Sequence, residues 1–264
     1  MSYLHDKNVL VTGALGGIGS AICLAYARQG AGIITHDRVA ADEETVAALK
    51  AQLLSVGARE VCYQQADLGS RQEIHAMFAR LREEQRDVDV LVNNAAIQKT
   101  SPIADFPDDL WESIIAINLV AVYHCTKQAL VDMRRKGWGR VINLASVHGL
   151  VASVDKSAYV AAKHGVVGFT REVALETAGQ GITVNAICPG WTDTPIIAPQ
   201  IEARQQRLGS SREEAIRHLV SEKQPDGGLI PPAHVAELAL FLGGESARHI
   251  TGTAMPIDGG WTCV

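Results

Sequence analysis

The sequence predicts one doubly wound α/β domain, a parallel sheet covered by helices on both faces, and three observations carry that prediction. Short apolar runs bounded by turn residues alternate with longer amphipathic segments along all 264 residues, a Gly-rich turn follows the first apolar run, and no linker-like stretch divides the chain. Strands buried on both faces read as continuous apolar runs, and their alternation with helices is the pattern of a parallel sheet. With 47% hydrophobic residues there is enough apolar surface for one large core, so a single domain over residues 1–264 is expected.

Strands are expected at Asn8 to Val11, Ile33 to Thr35, Val61 to Tyr63, Val88 to Val92, Val141 to Leu144 and Ile182 to Ile187. Between the first strand and a helix over Ser20 to Arg28 lies Thr12-Gly13-Ala14-Leu15-Gly16-Gly17-Ile18-Gly19. Glycines let a backbone approach a pyrophosphate, and the helix N-terminus offers free N–H groups and a positive dipole end. The second strand runs into His36-Asp37-Arg38. A carboxylate at Asp37 can accept from ribose hydroxyls and repels a 2′-phosphate, whereas a guanidinium at Arg38 can pair with that phosphate.

Glu43 to Leu54 has the apolar spacing of a covering helix. Asp67 and Leu68 follow the third strand, and Asp67 is either a turn residue or a base contact. Ser70-Arg71-Gln72-Glu73 reads as a capping box opening the next helix. The fourth strand ends in Asn93-Asn94-Ala95-Ala96, with Gln98 just beyond. Pro107 suits a first helical turn, and Asp108 to Lys136 reads as one long helix whose apolar positions occupy more than one side, leaving a surplus face for a partner subunit. Asn118 within it is either a local helix defect or part of the chemistry. Lys156 and Ser157 open a helix rich in Ala, Gly and Val that continues to Thr177. After the sixth strand comes Pro189-Gly190-Trp191-Thr192-Asp193-Thr194, and then a polar, helical stretch over about 195–228. That stretch is either a lid hinged at Gly227-Gly228 or a charged surface hairpin. Pro232 to Leu242 forms the last amphipathic helix.

Composition narrows the function. Twenty-four basic and 29 acidic residues are interleaved for a net charge of -5, with no basic block to follow phosphates, so no nucleic-acid partner is expected. Cys23, Cys62, Cys125, Cys188 and Cys263 are scattered and include no Cys-x-x-Cys pair. No structural disulfide or metal site is expected from them. Neither a basic and then apolar leader nor an apolar run long enough for a bilayer is read in the sequence, so a cytoplasmic protein without membrane attachment is expected.

The chemistry concentrates between Ser146 and Lys163. Tyr159 and Lys163 stand four residues apart in a helical run, so both project from one face. An ammonium about 5 Å from a phenol at effective dielectric about 20 favours phenolate by roughly 3 kcal/mol, about two pKa units. Alone, such a pair is an ordinary helix surface feature. In order along the chain, however, stand Thr-Gly-x-x-x-Gly-x-Gly with Gly13, Gly17 and Gly19 in register, Asn93-Asn94-Ala95, Asn118, Ser146, and Tyr159-x-x-x-Lys163. This series resembles the short-chain dehydrogenase/reductase family over essentially the whole chain. Ala96 departs from the glycine usual in that family.

The resemblance implies a Rossmann-type fold, a homotetramer and NAD as cofactor. It implies cofactor contacts from Gly13, Leu15, Gly17, Ile18 and Gly19 at the first turn, Asp37 at the adenosine ribose, Asp67 and Leu68 at adenine, and Asn94 and Ala95 beside them. Pro189, Gly190, Thr192 and Thr194 are implied to hold the nicotinamide. Tyr159 would take the hydroxyl proton, Ser146 would bond the same oxygen, Lys163 would bind ribose hydroxyls and lower the Tyr159 pKa, and Asn118 with a water would pass the proton to solvent.

Around Ser146 and Tyr159 the sequence sets Gln98, His148 and Lys156, with Gln200 at the start of the polar stretch. A cation with amide and imidazole donors suits a small carboxylate near the reacting carbinol. The blocks 145–153, 156–165, 188–191 and 222–225 resemble a bacterial subgroup of the family that interconverts D-3-hydroxybutyrate and acetoacetate. The resemblance implies that Gln98, His148, Lys156 and Gln200 bind the carboxylate, with Trp191 and Trp261 nearby. The segment Asp226-Gly227-Gly228-Leu229-Ile230 departs from that subgroup. Another small hydroxy acid, a sugar or a cyclic alcohol as substrate, or a dinucleotide-sensing regulator without turnover, are the alternatives.

Overall fold

The computed structural model describes residues 4–263. Its strands are β1 (Asn8–Thr12), β2 (Gly32–Asp37), β3 (Glu60–Gln65), β4 (Val90–Asn93), β5 (Gly139–Leu144), β6 (Ile182–Pro189) and β7 (Ala254–Ile257). They form one sheet in the order β3-β2-β1-β4-β5-β6-β7, every neighbouring pair parallel. This is the Rossmann-type doubly wound architecture. The helices are α1 (Gly17–Ala27), α2 (Glu44–Ser55), α3 (Arg71–Glu83), α4 (Asp108–Ile115), α5 (Ala121–Lys136), α6 (Ser157–Glu176), α7 (Ala198–Leu208), α8 (Arg212–Ser221) and α9 (Pro232–Leu242).

The period of two in a strand feeds two cores. Val9 and Val11 of β1 pack with Ile22 and Tyr26 of α1, Leu53 of α2 and Val235 and Ala239 of α9. Leu10 between them faces Ile74 and Phe78 of α3, Cys125 and Met133 of α5 and Val173 of α6. Strand order reverses between β1 and β4, so their connections leave to opposite sides and a cleft opens at their C-terminal ends, where ligands bind in such sheets.

Three local expectations are corrected. α1 starts at Gly17 rather than Ser20, so Gly17 and Gly19 lie inside the helix. Only part of the capping box at α3 forms. Ser70 Oγ accepts from the Glu73 N–H at 3.3 Å, but the Glu73 carboxylate turns to the Asp67 N–H at 2.8 Å and fastens the loop after β3. The helix expected over Asp108 to Lys136 is interrupted by a π turn at Ala116–Val120 between α4 and α5.

That 29-residue helical stretch also corrects the reading that no apolar run is long enough for a bilayer, because by length and composition it is. Ala121, Cys125, Ala129 and Met133 nevertheless pack into the domain core, as a core helix must. The surplus face is real: Val120, Tyr123 and Val131 remain 43%, 42% and 55% exposed.

Candidate active site

Each catalytic candidate is placed by an element end. Gly13 closes the turn after β1 at φ +63°, a left-handed conformation that glycine adopts without strain. Gly19 has a different function from the one expected of it. A Cβ there would lie 2.2 Å from Gly13 O and 2.8 Å from Asn94 Nδ2, so the residue permits helix and turn to touch and does not line the cleft. Leu15 likewise stands off the cleft, its N–H 3.4 Å from Asp37 Oδ2. Asp37 Oδ1 accepts from the Arg38 N–H at 2.8 Å. The carboxylate is therefore held by two backbone donors at the tip of β2.

The cleft has a volume of about 450 Å³ and runs along the C-terminal ends of the strands. Gly13, Gly17, Ile18, Asp37, Asp67, Leu68, Asn94 and Ala95 line one end, and Pro189, Gly190, Thr192 and Thr194 line the middle. Gln98, Ser146, His148, Lys156, Tyr159, Lys163, Trp191 and Trp261 meet at the other end. These residues come from well-separated segments of chain and are brought together as expected. Ala96 also lines the cleft, so its methyl is accommodated.

Two further predicted residues, besides Gly19 and Leu15, lie off the cleft wall. Asn118 is buried in the π turn, where its Oδ1 accepts from the Ile97 N–H and its Nδ2 donates to Ile97 O, both at 2.9 Å. It fixes the backbone next to Gln98 rather than facing the cleft. Gln200 sits half-buried on α7 and is not part of the cleft wall, which Pro195, Ile196 and Ile197 supply instead.

Ser146 Oγ hydrogen-bonds the Tyr159 phenol and also accepts from the His148 N–H at 3.1 Å. Lys163 Nζ lies 5.6 Å from the Tyr159 ring centre and donates to Leu144 O at 2.6 Å. The expected net lowering of the Tyr159 pKa is corrected: burial pushes the phenol up to about 12, although the Ser146 hydrogen bond offsets part of that rise. Burial also draws Lys163 down to about 8. Loss of hydration on burial is the largest cause of both shifts, an effect that the spacing in sequence cannot reveal.

Deeper in the same end, Lys156 Nζ is 3.3 Å from His148 Nε2 and 4.7 Å from the Trp191 ring centre. Trp191 and Trp261 lie 5.3 Å apart, and His148 sets its ring perpendicular to Trp261 at 5.5 Å and to Tyr159 at 6.1 Å. Burial lowers Lys156 to about 8, and burial followed by the Lys156 charge lowers His148 to about 4. At neutral pH the pair is thus a cation beside a neutral imidazole. Gln98 Nε2 and Trp191 Nε1 are buried polar atoms without a protein hydrogen-bond partner. Unpaired buried donors are costly, and at the wall of a cleft they suit a polar ligand.

Sequence reasoning missed His36, Ile97, Ile117, Val147 and Ile197 as cleft wall. His36 sits directly before Asp37, and its Nε2 lies 3.1 Å from Ala66 O. Its place at the strand end was the available signal. The isoleucines carried none, being ordinary apolar positions in loops and helices.

Among the described residues no cluster of His, Cys, Asp and Glu could hold a metal. A family model described as short chain dehydrogenase matches residues 7–205. The chain is 49% identical over 259 residues to the D-beta-hydroxybutyrate dehydrogenase of Cupriavidus necator, covering 98% of each chain. It is 43% identical to the protein of the same name from Rhizobium meliloti, covering 97% of this chain and 98% of that one. Among solved structures, an actinorhodin polyketide ketoreductase variant with NADPH superposes with a TM-score of 0.90 at 36% identity, covering 99% of each chain. Levodione reductase follows with a TM-score of 0.88 at 31% identity over 98% of both chains. With its sheet order, its Ser146, Tyr159 and Lys163 at one cleft end and these relatives, the chain belongs to the short-chain dehydrogenase family of oxidoreductases.

Proposed function

We propose that the protein interconverts D-3-hydroxybutyrate and acetoacetate with NAD. The observation that carries the substrate reading is the Lys156–His148 pair at 3.3 Å, set against Trp191 in the same cleft end as Ser146 and Tyr159. A buried cation beside neutral donors suits one carboxylate, and the tryptophans leave an apolar wall for a short carbon chain. Relatives at 49% and 43% identity that bear the name D-beta-hydroxybutyrate dehydrogenase support the same reading.

The residues present fit a nicotinamide dinucleotide. Gly17 faces the cleft, and a Cβ on it would lie 2.9 Å from Thr194 Cγ2, so only a glycine keeps that channel open beside the α1 N-terminus. The Asp37 carboxylate, held by the Leu15 and Arg38 N–H groups, supports NAD over NADP. When bound, the cofactor supplies the hydride acceptor or donor.

Tyr159 holds or takes the proton at the substrate oxygen. A phenol near 12 is protonated at neutral pH, so it is ready to donate in the direction of reduction. Ser146 Oγ holds the phenol oxygen and can bond the same substrate oxygen, stabilising its developing charge. Lys163, charged below about pH 8, favours the phenolate needed for oxidation. Asn118 fixes Ile97 and so the placement of Gln98. The stretch 195–228 acts as a lid: its helices α7 and α8 pack Ile201, Ala215, Leu219 and Val220 against Trp191 and Trp261, and closure would carry Gln200 toward the carboxylate.

A second copy of the chain is the partner for the exposed Val120, Tyr123 and Val131 of α5 and for Leu175 of α6, which supports a homotetramer. Five free cysteines support a reducing, cytoplasmic setting. The test is nicotinamide reduction over a panel of hydroxy acids, sugars and cyclic alcohols. Turnover confined to other alcohols would refute the substrate, and cofactor binding without turnover would refute the enzyme.

A further inference from the structure

Gln224 is completely buried and touches neither cofactor nor substrate positions, yet its amide is fully engaged at the edge of the site. Its Oε1 accepts from the Trp191 N–H at 2.9 Å. Its Nε2 donates to Asp226 Oδ1 at 3.2 Å and to Gly228 O. On the other side of the same residue, Trp191 O accepts from the Ile230 N–H at 2.8 Å, and Ile230 O accepts from the Asp193 N–H at 3.0 Å. The backbone of Trp191 is therefore held entirely by chain that follows the α7–α8 insertion.

Gln224 comes close enough to dictate its neighbour. A Cβ on Gly190 would lie 2.5 Å from Gln224 Oε1, so the loop after β6 admits this amide only because residue 190 has no side chain. The insertion itself is internally tied: Arg204 of α7 pairs with Glu222 at 3.0 Å, two residues before Gln224. A continuous run of contacts thereby leads from α7 and α8 to Gln224, from there to Trp191, and from the Trp191 ring to Lys156 at 4.7 Å and to Trp261 at 5.3 Å.

We propose that Gln224 is a positioning residue that couples the helical insertion to the substrate wall by fixing Trp191 through its backbone N–H. Without that acceptor, the Trp191 N–H is buried unpaired and the ring loses its register over Lys156. The adenosine end of the cleft, built from β1, β2 and α1, lies outside this chain of contacts. The role of Gln224 in substrate affinity rests on the hydroxy-acid reading above, whereas its hold on Trp191 does not.

The experiment compares Gln224→Met, which keeps the shape and removes the acceptor, with Gln224→Glu, which keeps an oxygen facing Trp191. Near-UV circular dichroism reads the Trp191–Trp261 pair, quenching by NAD reads the cofactor end, and initial rates read KM and kcat for D-3-hydroxybutyrate. Expected for Gln224→Met are a lost tryptophan-pair signal, a KM raised about tenfold or more, kcat within about threefold and NAD affinity within about twofold. Buried beside the Asp226 carboxylate, the new carboxyl stays protonated and can donate where Nε2 did, so Gln224→Glu should recover the tryptophan signal and most of the KM. An unchanged tryptophan signal and KM in Gln224→Met would overturn the proposal, as would a parallel loss of NAD binding, KM and kcat in both variants. Absence of 3-hydroxybutyrate turnover in the unsubstituted protein would count against the substrate reading alone, because the dichroism still reports on Gln224.

Discussion

Lys156 Nζ lies 3.3 Å from His148 Nε2, and the two residues come from opposite ends of the loop that separates Ser146 from Tyr159. Burial lowers both groups and the Lys156 charge lowers His148 further, so Lys156 near 8 stays cationic at neutral pH and His148 near 4 stays neutral. One short segment thus supplies both the proton-handling groups and a buried positive charge beside them.

Replacing Lys156 by Ala removes that charge. A hydrogen bond to a charged group contributes about 1.5–3 kcal/mol, so KM for 3-hydroxybutyrate should rise roughly 10- to 100-fold. NAD affinity should stay within about twofold. Steady-state kinetics with each substrate varied in turn checks both, and an unchanged KM would reduce Lys156 to packing.

The pH dependence follows from the direction of the shift. Lys156 is lowered to about 8, so its cation is present below that pH and is lost above it. KM for the hydroxy acid should therefore be flat to about pH 8 and climb beyond it. Arginine stays protonated throughout this range, so Lys156→Arg should weaken the climb. Lys163 is also lowered to about 8, but it faces the phenol and should show in kcat rather than in KM. Profiles of KM and kcat measured separately distinguish the two lysines.

Tyr159→Phe removes the proton carrier and leaves the ring that packs against His148. The kcat should fall by about 10²–10⁴ in both directions, the range for a positioned acid or base. NAD binding, followed by fluorescence quenching, should be retained. Equal loss of binding and turnover would instead point to a disturbed fold.

Gly19→Ala tests the contact between α1 and the first turn. Its methyl would sit 2.2 Å from Gly13 O, a backbone atom that cannot swing aside. Overpacking of this kind costs about 1–3 kcal/mol, visible in thermal denaturation, and displacement of the turn should weaken NAD binding as well.

The fold was legible because each buried strand advertises itself: Val90-Leu91-Val92 and Val141-Ile142-Asn143-Leu144 are apolar runs with turn residues at their ends, and the amphipathic segments between them can only be crossovers. The meeting of Ser146, Tyr159 and Lys163 was legible from their order. What was not legible depends on tertiary placement. The π turn at Asn118 changes no apolar period, so only the asparagine hints at it. Gln200 was placed by resemblance and by its position at the start of the polar stretch, but the cleft wall there is supplied by Pro195, Ile196 and Ile197, and Gln200 sits half-buried on α7. The raised pKa of Tyr159 follows from burial of its phenol at the cleft end, and the amide of Gln224 matters because of what lies 33 residues earlier in the chain.

The central claim is that Lys156 and its neighbours select a carboxylate, and the most direct measurement compares D-3-hydroxybutyrate with its methyl ester under NAD. The two differ only in the group that the cation would hold. The expected result is a kcat/KM for the acid about 100-fold or more above that for the ester, collapsing toward equality in Lys156→Ala. Equal kcat/KM for acid and ester in the unsubstituted protein would contradict it.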